Sequence, residues 1–242
     1  MKRKLFVLYF LNSIPFIVFA QNATVKQIGF TTGLTYNAIK SDAYSPRILS
    51  GVGVPLELFF QRIKDNIRYS ISTGFLSSNP SEASNTSIKN VSGHISFEYF
   101  KKAKNWDKIS FFYGVSAIFI GSNRQLIVPN LGNNNQSYEL ATTLDAAIMA
   151  EYFDGKNRLT SQLNYALLGY QTGTLYSYAY YDDRILSPAN VVQLTGSIRL
   201  LTPISKHFNF RTGYLFYLYR SPTPQYLGIL KHQMELALCY QF

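Results

Sequence analysis

Ten charged side chains fall on one face of alternating segments of the sequence, and they are the residues best placed to act together. Carboxylates and guanidinium groups that share an enclosed face can form an ion network, line a charged pore or relay protons. The set is Glu57, Arg68, Glu98, Glu139, Asp145, Glu151, Arg158, Arg199, Arg211 and Glu235.

Hairpin geometry predicts which of these charges meet. Residues at similar distances from a tight turn lie opposite each other in an antiparallel pair. We therefore expect Glu57 near Arg68, and Glu151 near Arg158.

A third group of charges lies around the connection at residue 205. Arg199 and Arg211 flank that connection symmetrically, so they should approach each other. Two neighbouring cations require an anion, and Glu235 on the following segment is the expected partner.

Two other arrangements have the residue types of catalytic sites. Asp182-Asp183 is a carboxylate pair that would need a base positioned for a water molecule. His232 with Ser221 could be a base and a nucleophile, although no spacing ties them together.

The lone Cys239 has no partner pattern for a disulfide or a metal. We predict no catalytic residues, no metal site and no cofactor.

The elements that carry these residues are strands. Apolar and polar side chains alternate with a period of two, which places them on opposite faces of a strand. Ten segments show this pattern, at residues 26–38, 48–62, 67–78, 88–101, 108–121, 137–153, 158–171, 190–203, 207–220 and 228–242.

The connections between the segments alternate in length. Four are tight and polar, at 62–66, 101–107, 154–157 and 205–207, whereas the other five are longer and rich in Ser, Asn, Pro, Gly and Tyr. This asymmetry puts both termini on the side of the short turns and requires an even number of strands. Ten strands fit, and eight or twelve result if a hairpin has been split or merged.

The amino terminus predicts export. A basic start at residues 2–4 precedes a mostly apolar stretch at 5–20, which ends in the small-residue cleavage pattern of Val18-Phe19-Ala20. Because this stretch is shorter than the roughly 20 apolar residues of a spanning helix, we interpret 1–20 as a cleavable signal peptide and 21–242 as one domain.

The carboxy terminus carries the most specific pattern. Met234, Leu236, Leu238, Tyr240 and Phe242 form one apolar face of the last segment. This tail resembles the closing strand of Gram-negative outer-membrane β-barrel proteins, in which a terminal aromatic residue is read by the barrel-assembly machinery. The resemblance implies an all-β fold, a closed antiparallel transmembrane barrel, and assigns Tyr240 and Phe242 to the assembly signal.

Composition agrees with this resemblance. The chain has 19 Tyr and 18 Phe, enough for aromatic girdles at two membrane interfaces.

Without residues 1–20 the chain keeps 20 basic and 13 acidic side chains. Export and the lack of a basic helix argue against nucleic acid as a partner. The expected partners are outer-membrane lipids, the assembly machinery and an extracellular ligand.

Three functions follow from the barrel reading. The first is a non-enzymatic barrel whose lumen is filled by the ion network and whose extracellular loops bind a ligand or help to maintain the membrane. Tyrosines of the longest loop are the candidate binding residues: Tyr176, Tyr178, Tyr180 and Tyr181. The second is a narrow, porin-like channel for small solutes.

The third is a surface enzyme. Ten strands and the position of Asp182-Asp183 resemble the omptin proteases, but no companion Asp-His pair is found. An outward His232 is similar to the lipid-facing histidine of lipid A deacylases.

Overall fold

The computed structural model describes residues 24–41, 45–64, 66–82, 86–128, 136–175, 180–181, 183–221 and 227–242. The predicted signal peptide, Tyr176, Tyr178 and Asp182 lie outside these ranges, and so do the side chains of Tyr180 and Tyr181.

Ten long strands form a closed antiparallel barrel in which each strand pairs with its neighbours in the chain. They are β1 (Thr24–Ser41), β2 (Ser45–Lys64), β3 (Ile67–Ser78), β4 (Ser87–Trp106), β5 (Ile109–Ile127), β6 (Gln136–Phe153), β7 (Arg158–Leu175), β10 (Val192–Pro203), β11 (Phe208–Ser221) and β12 (Leu227–Gln241). Two short strands, β8 (Tyr180–Tyr181) and β9 (Arg184–Leu186), pair with the upper part of β7.

The barrel closes at two seams. β12 pairs with β1 from Gln27↔Gln241 to Ser41↔Leu227, and β10 pairs with β7. The predicted number of ten barrel strands is confirmed. No helix long and apolar enough to cross a membrane occurs in the described ranges.

The strands are tilted, as closure of a sheet requires. A row of paired residues that starts at Arg158 on β7 returns to the same strand at Gln171, thirteen positions further along. The row passes through Leu201, Arg211, Ala237, Thr31, Glu57, Gly74, His94, Ile120 and Ala141.

The outer surface is an apolar band, since large apolar side chains alternate outward along each strand. Exposed aromatic residues mark both of its edges. The edge near the termini carries Trp106, Tyr152, Phe153, Phe208, Tyr240 and Phe242, and the opposite edge carries Tyr36, Phe75, Phe119, Tyr138 and Tyr170.

The turns on the side of the termini are short, but one differs from the prediction. The connection expected at 101–107 is mostly strand, because β4 stays paired with β5 as far as Trp106↔Ile109. A register shift between Lys102 and Lys104 absorbs one residue, and Asp107, with a φ of 50°, makes the turn.

At the opposite mouth of the barrel, apolar side chains of the described residues point inward. One buried cluster consists of Ile39, Leu49, Ile88 and Leu126. A second consists of Leu186, Val191 and Tyr219, contributed partly by the segment that follows β9. Leu227 packs against both clusters, so together they form a continuous apolar ceiling over the lumen.

Candidate functional site

The lumen is the candidate functional site, because the barrel directs its polar side chains there. All ten charges identified in the sequence lie on strands. Nine of them contact one another or other polar side chains of the inner wall through salt bridges or hydrogen bonds. They form layers at successive heights of the barrel.

The lowest layer lies close to the short turns. Glu151 is flanked by two cations: Arg68 donates a hydrogen bond to Oε2, and Arg158 places Nε 3.1 Å from Oε1. The Arg68 guanidinium also lies over the Phe112 ring, 4.6 Å from its centroid. The predicted approach of Glu151 and Arg158 is therefore observed.

The predicted approach of Glu57 and Arg68 is wrong. Arg68 pairs in register with Ile63, six residues along β2 from Glu57, and Glu57 pairs with Gly74. The hairpin estimate failed because Glu57 is nine residues from the turn at Asn66, whereas Arg68 is only two residues from it.

A middle layer is built around Glu235, which is 1% exposed. Arg199 Nε lies 3.0 Å from Glu235 Oε2. The two residues are on β10 and β12, and they meet above Gly213 of β11, which pairs with both. A Cβ at position 213 would lie 3.0 Å from Arg199 Cγ and 3.2 Å from Glu235 Oε2, so glycine at this position spares both side chains a displacement of a few tenths of an ångström.

Arg211 belongs to the same layer but forms no salt bridge with a described carboxylate. Its guanidinium lies 4.1 Å from the centroid of the Phe59 ring, and Nη2 donates a hydrogen bond to Thr31 Oγ1 at 2.9 Å. Arg199 is close enough to repel Arg211, and Glu235 is close enough to attract it. The predicted proximity of Arg199, Arg211 and Glu235 is therefore observed. Glu235 forms a salt bridge with Arg199, whereas it attracts Arg211 electrostatically without direct contact.

Glu98 completes this layer from the opposite wall. Its Oε1 accepts a hydrogen bond from Gln162 at 2.6 Å, and its Oε2 accepts one from Ser70 at 2.7 Å. Gln162 is on β7, so the contact crosses the lumen between strands that are not neighbours.

Above it, His94 on β4 pairs with Glu57 on β2. The distance from Nε2 to Glu57 Oε2 is 3.3 Å. A Cβ on Gly74, the residue between them on β3, would lie 2.4 Å from His94 Cε1. Gly74 therefore leaves the space through which the imidazole reaches Glu57.

The uppermost layer contains Arg124, which is not among the ten charges predicted from the sequence to face the lumen. Arg124 Nη1 lies 2.5 Å from Glu139 Oε2, and Gln171 donates to Glu139 Oε1 at 2.5 Å. Tyr219 donates in turn to Gln171. Arg124 was missed because its segment was assigned to a loop, whereas β5 continues to Ile127. Asp145 is buried on the inner wall and joins no salt bridge among the described residues.

Among the described residues, two cavities of the lumen lie between these layers. The larger has a volume of about 240 Å³ and extends from the middle layer to the apolar ceiling; we call it the chamber. The smaller, about 60 Å³, lies between the middle and lowest layers. The lumen is therefore not filled along its whole length, contrary to the prediction from strand number. Five side chains line both cavities and so separate them: Gln61, Glu98, Gln162, Arg199 and Arg211.

The catalytic alternatives do not assemble in the described residues. His232 faces outward and contacts the Tyr214 hydroxyl, whereas Ser221 is buried on the inner side and accepts a hydrogen bond from Arg184. His207 contacts the carbonyl oxygen of Gln241 in a turn. No group of three metal-ligating side chains occurs in the described part of the chain.

Comparison with solved structures identifies the fold. The outer-membrane protease OmpT from Escherichia coli superposes with a TM-score of 0.62 and 6% sequence identity, over 93% of this chain and 99% of OmpT. The fold is that of the outer-membrane β-barrel proteins. The translocator domain of the autotransporter NalP from Neisseria meningitidis gives a TM-score of 0.56 and 12% identity, over 99% of this chain and 94% of that domain.

No family model and no curated protein sequence matches the chain. In barrels of this fold an outer apolar band faces the lipid, the short turns lie on the periplasmic side and the longer loops lie outside. The corresponding features here are the apolar outer band and the short turns near the termini, with the apolar ceiling at the opposite mouth. The polar face lines the lumen, as in other barrels of this fold.

Proposed function

We propose that this protein is a non-enzymatic outer-membrane barrel whose lumen does not conduct, and which acts at the cell surface through its extracellular side, by binding a ligand or by helping to maintain the membrane. The observation that carries the proposal is the stack of barriers across the lumen. Ion layers centred on Glu151, Glu235 and Glu139 lie one above another, beneath an apolar ceiling.

Each barrier is rigid for a physical reason. A charged side chain in an enclosed lumen is held by its counter-ion, because moving it away would leave the counter-ion buried and unpaired. The contact between Glu98 and Gln162 adds a hydrogen bond across the lumen. A hydrated ion would have to break several such contacts in succession.

The experiment is conductance of the refolded chain without its signal peptide in a planar bilayer. The proposal expects no steps above the bare membrane once insertion has been established by heat-modifiable mobility. A variant with Glu98→Ala, Gln162→Ala and Arg199→Ala removes most of the partition between the two cavities, but the Glu151 layer, the Glu139 layer and the apolar ceiling remain, so it should stay silent as well. An open porin in the same bilayer is the conducting control.

A narrow channel for small solutes is the second candidate. The observation that favours it is the pair of cavities, since only the five shared side chains divide them. Reproducible steps from the unmodified chain that change when Arg199 and Arg211 are neutralised would establish this alternative.

Surface proteolysis is not proposed, although OmpT is an outer-membrane protease. The described part of the chain brings no histidine to a carboxylate at the extracellular rim; His94 and Glu57 meet inside the lumen. A fold shared at 6% identity carries no activity with it.

A further inference from the structure

We propose that the chamber is a binding site for a small organic carboxylate with an apolar body, held through Lys231 and Asn37. This inference goes further than the proposed function, on which it rests in one respect: in a lumen that does not conduct, the chamber is a site and not a segment of a water-filled pore.

Lys231 is a cation of the chamber wall without a counter-ion. No described carboxylate forms a salt bridge with it. Its Nζ lies 5.5 Å from the centroid of the Tyr217 ring, and the nearby Arg124 repels it. Every other basic side chain that lines the chamber binds a carboxylate or a hydroxyl: Arg124 binds Glu139, Arg199 binds Glu235 and Arg211 binds Thr31. Among the described residues, Lys231 is thus the cation of the chamber wall with neither a carboxylate nor a hydroxyl partner.

Asn37 supplies a second donor beside it. Asn37 on β1 pairs in register with Lys231 on β12, so their side chains are neighbours on the inner wall. Asn37 is 2% exposed, lines the chamber, and its Nδ2 has no hydrogen-bond partner in the part of the chain that the structure describes. A buried donor without a partner is costly, and here it lies next to an unpaired ammonium. Both groups are donors, so what they lack is an anionic acceptor.

The rest of the chamber selects the body of that anion. Apolar side chains face the lumen around this donor pair, among them Ile118, Ile120, Leu215 and Ile229. The ceiling above them is apolar as well. A free phosphate or sulfate would leave these surfaces uncovered, whereas an aromatic or short aliphatic carboxylate would cover them while its oxygens meet Lys231 and Asn37. A volume of about 240 Å³ suits a small molecule and not a peptide or a glycan.

The test is equilibrium dialysis of radiolabelled benzoate against the refolded full barrel in detergent, with benzyl alcohol as the uncharged control ligand. Benzyl alcohol reports partition into the micelle and the apolar wall alone. We expect saturable benzoate binding that is tighter than benzyl alcohol binding by about tenfold or more, the effect of one charge-assisted hydrogen bond.

Three variants make the test specific. Asn37→Asp is nearly isosteric and gives Lys231 an internal counter-ion, so benzoate binding should be lost; Lys231→Met should lose it too. Lys231→Arg keeps the charge and should keep saturable binding, which guards against a Lys231→Met barrel that fails to fold. Lys206→Met, in a periplasmic turn, removes a lysine outside the chamber and should change nothing.

Absence of saturable benzoate binding to the unmodified barrel, or equal binding to the Asn37→Asp variant, would overturn the proposal. Either result leaves the non-conducting barrel intact, because conductance is measured separately. Conversely, ion steps in a bilayer together with Lys231-dependent binding would overturn the proposed function and retain the site.

Discussion

His94 reaches Glu57 across an intervening strand, with 3.3 Å between Nε2 and Oε2, and the contact passes above Gly74. Arg199 reaches Glu235 in the same manner above Gly213, at 3.0 Å. In both cases the two residues do not pair with each other in the sheet, but each pairs in register with the same glycine on the strand between them. Side chains in the lumen thus connect every second strand, in addition to the backbone hydrogen bonds that connect adjacent strands.

Gly74→Ala should destabilise the barrel, because the new methyl group would lie 2.4 Å from His94 Cε1 and push the imidazole away from Glu57. Because His94 Cε1 is the far end of a side chain that borders the chamber, the imidazole can move aside, and the cost is that of the lost contact with Glu57, about 0.5–1.5 kcal/mol. Reversible urea unfolding in detergent or lipid would measure it. The matched control is Gly93→Ala on the next strand, where the nearest atom is Gly74 O at 3.5 Å and little change is expected. Equal losses in both variants would contradict this account.

A second substitution tests whether the clash acts through His94. Adding His94→Ala to Gly74→Ala should cost less than the sum of the two single changes, since the contact with Glu57 can be lost only once. The coupling between the two changes is measured by a double-mutant cycle. Strict additivity would mean that Gly74 matters for the backbone and not for the pair.

Glu235→Leu should be among the most damaging single substitutions in the lumen. The substitution removes the carboxylate that pairs with Arg199. Arg199 and Arg211 then repel each other without an anion between them. Removal of one partner from a buried pair costs about 3–5 kcal/mol. The double variant Arg199→Met with Glu235→Leu should be more stable than Glu235→Leu alone in the same unfolding measurement. A double variant that is less stable would refute the pairing as the cause.

The Asp154 turn gives a pH dependence outside the membrane. Backbone N–H groups of Asn157 and Lys156 donate to Asp154 Oδ1 at 2.6 and 3.0 Å, and these hydrogen bonds hold the pKa of this carboxyl below its ordinary value. Its contribution to stability is present above the unfolded-state pKa and is lost as the pH falls through the lower folded-state pKa. A carbon NMR titration of the Asp154 carboxyl should show that depressed pKa; an ordinary value would rule out the turn as described.

Deletion of Phe242 should lower the yield of barrel in the outer membrane. The Phe242 N–H donates to Lys26 O at 3.0 Å, and its carbonyl accepts from Lys26 N–H at 3.3 Å, so the terminal residue belongs to the closing seam. Phe153→Ala removes an exposed aromatic from the same girdle and should leave the yield unchanged. Quantitative blotting of outer-membrane fractions compares the two, and an undiminished yield after the deletion would count against the assembly signal at Tyr240 and Phe242.

Much of this barrel could be predicted from alternation alone. On β6, Tyr138, Leu140 and Ile148 face outward while Asp145 and Glu151 face inward, as the period of two requires. Strand ends were less predictable, because polar residues of β5 such as Arg124 continue the hydrogen-bonded ladder beyond the membrane band, where no apolar face marks them.

Contacts across the lumen could not be predicted from the sequence. Register within a hairpin follows from its turn, but the meeting of Glu98 with Gln162, or of Arg68 with Glu151, depends on the tilt and closure of the whole barrel. Glycine at 74 and 213 gave no signal either, since its role there is to leave space for a side chain from another strand.

Planar-bilayer conductance of the refolded, signal-free chain tests the central claim most directly. With insertion verified by heat-modifiable mobility and an open porin run in parallel as the conducting control, we expect a silent bilayer from the unmodified barrel. The Glu98→Ala, Gln162→Ala, Arg199→Ala variant should be silent too, because the Glu151 layer, the Glu139 layer and the apolar ceiling remain. Reproducible steps from the unmodified barrel would contradict the account and make the lumen a channel.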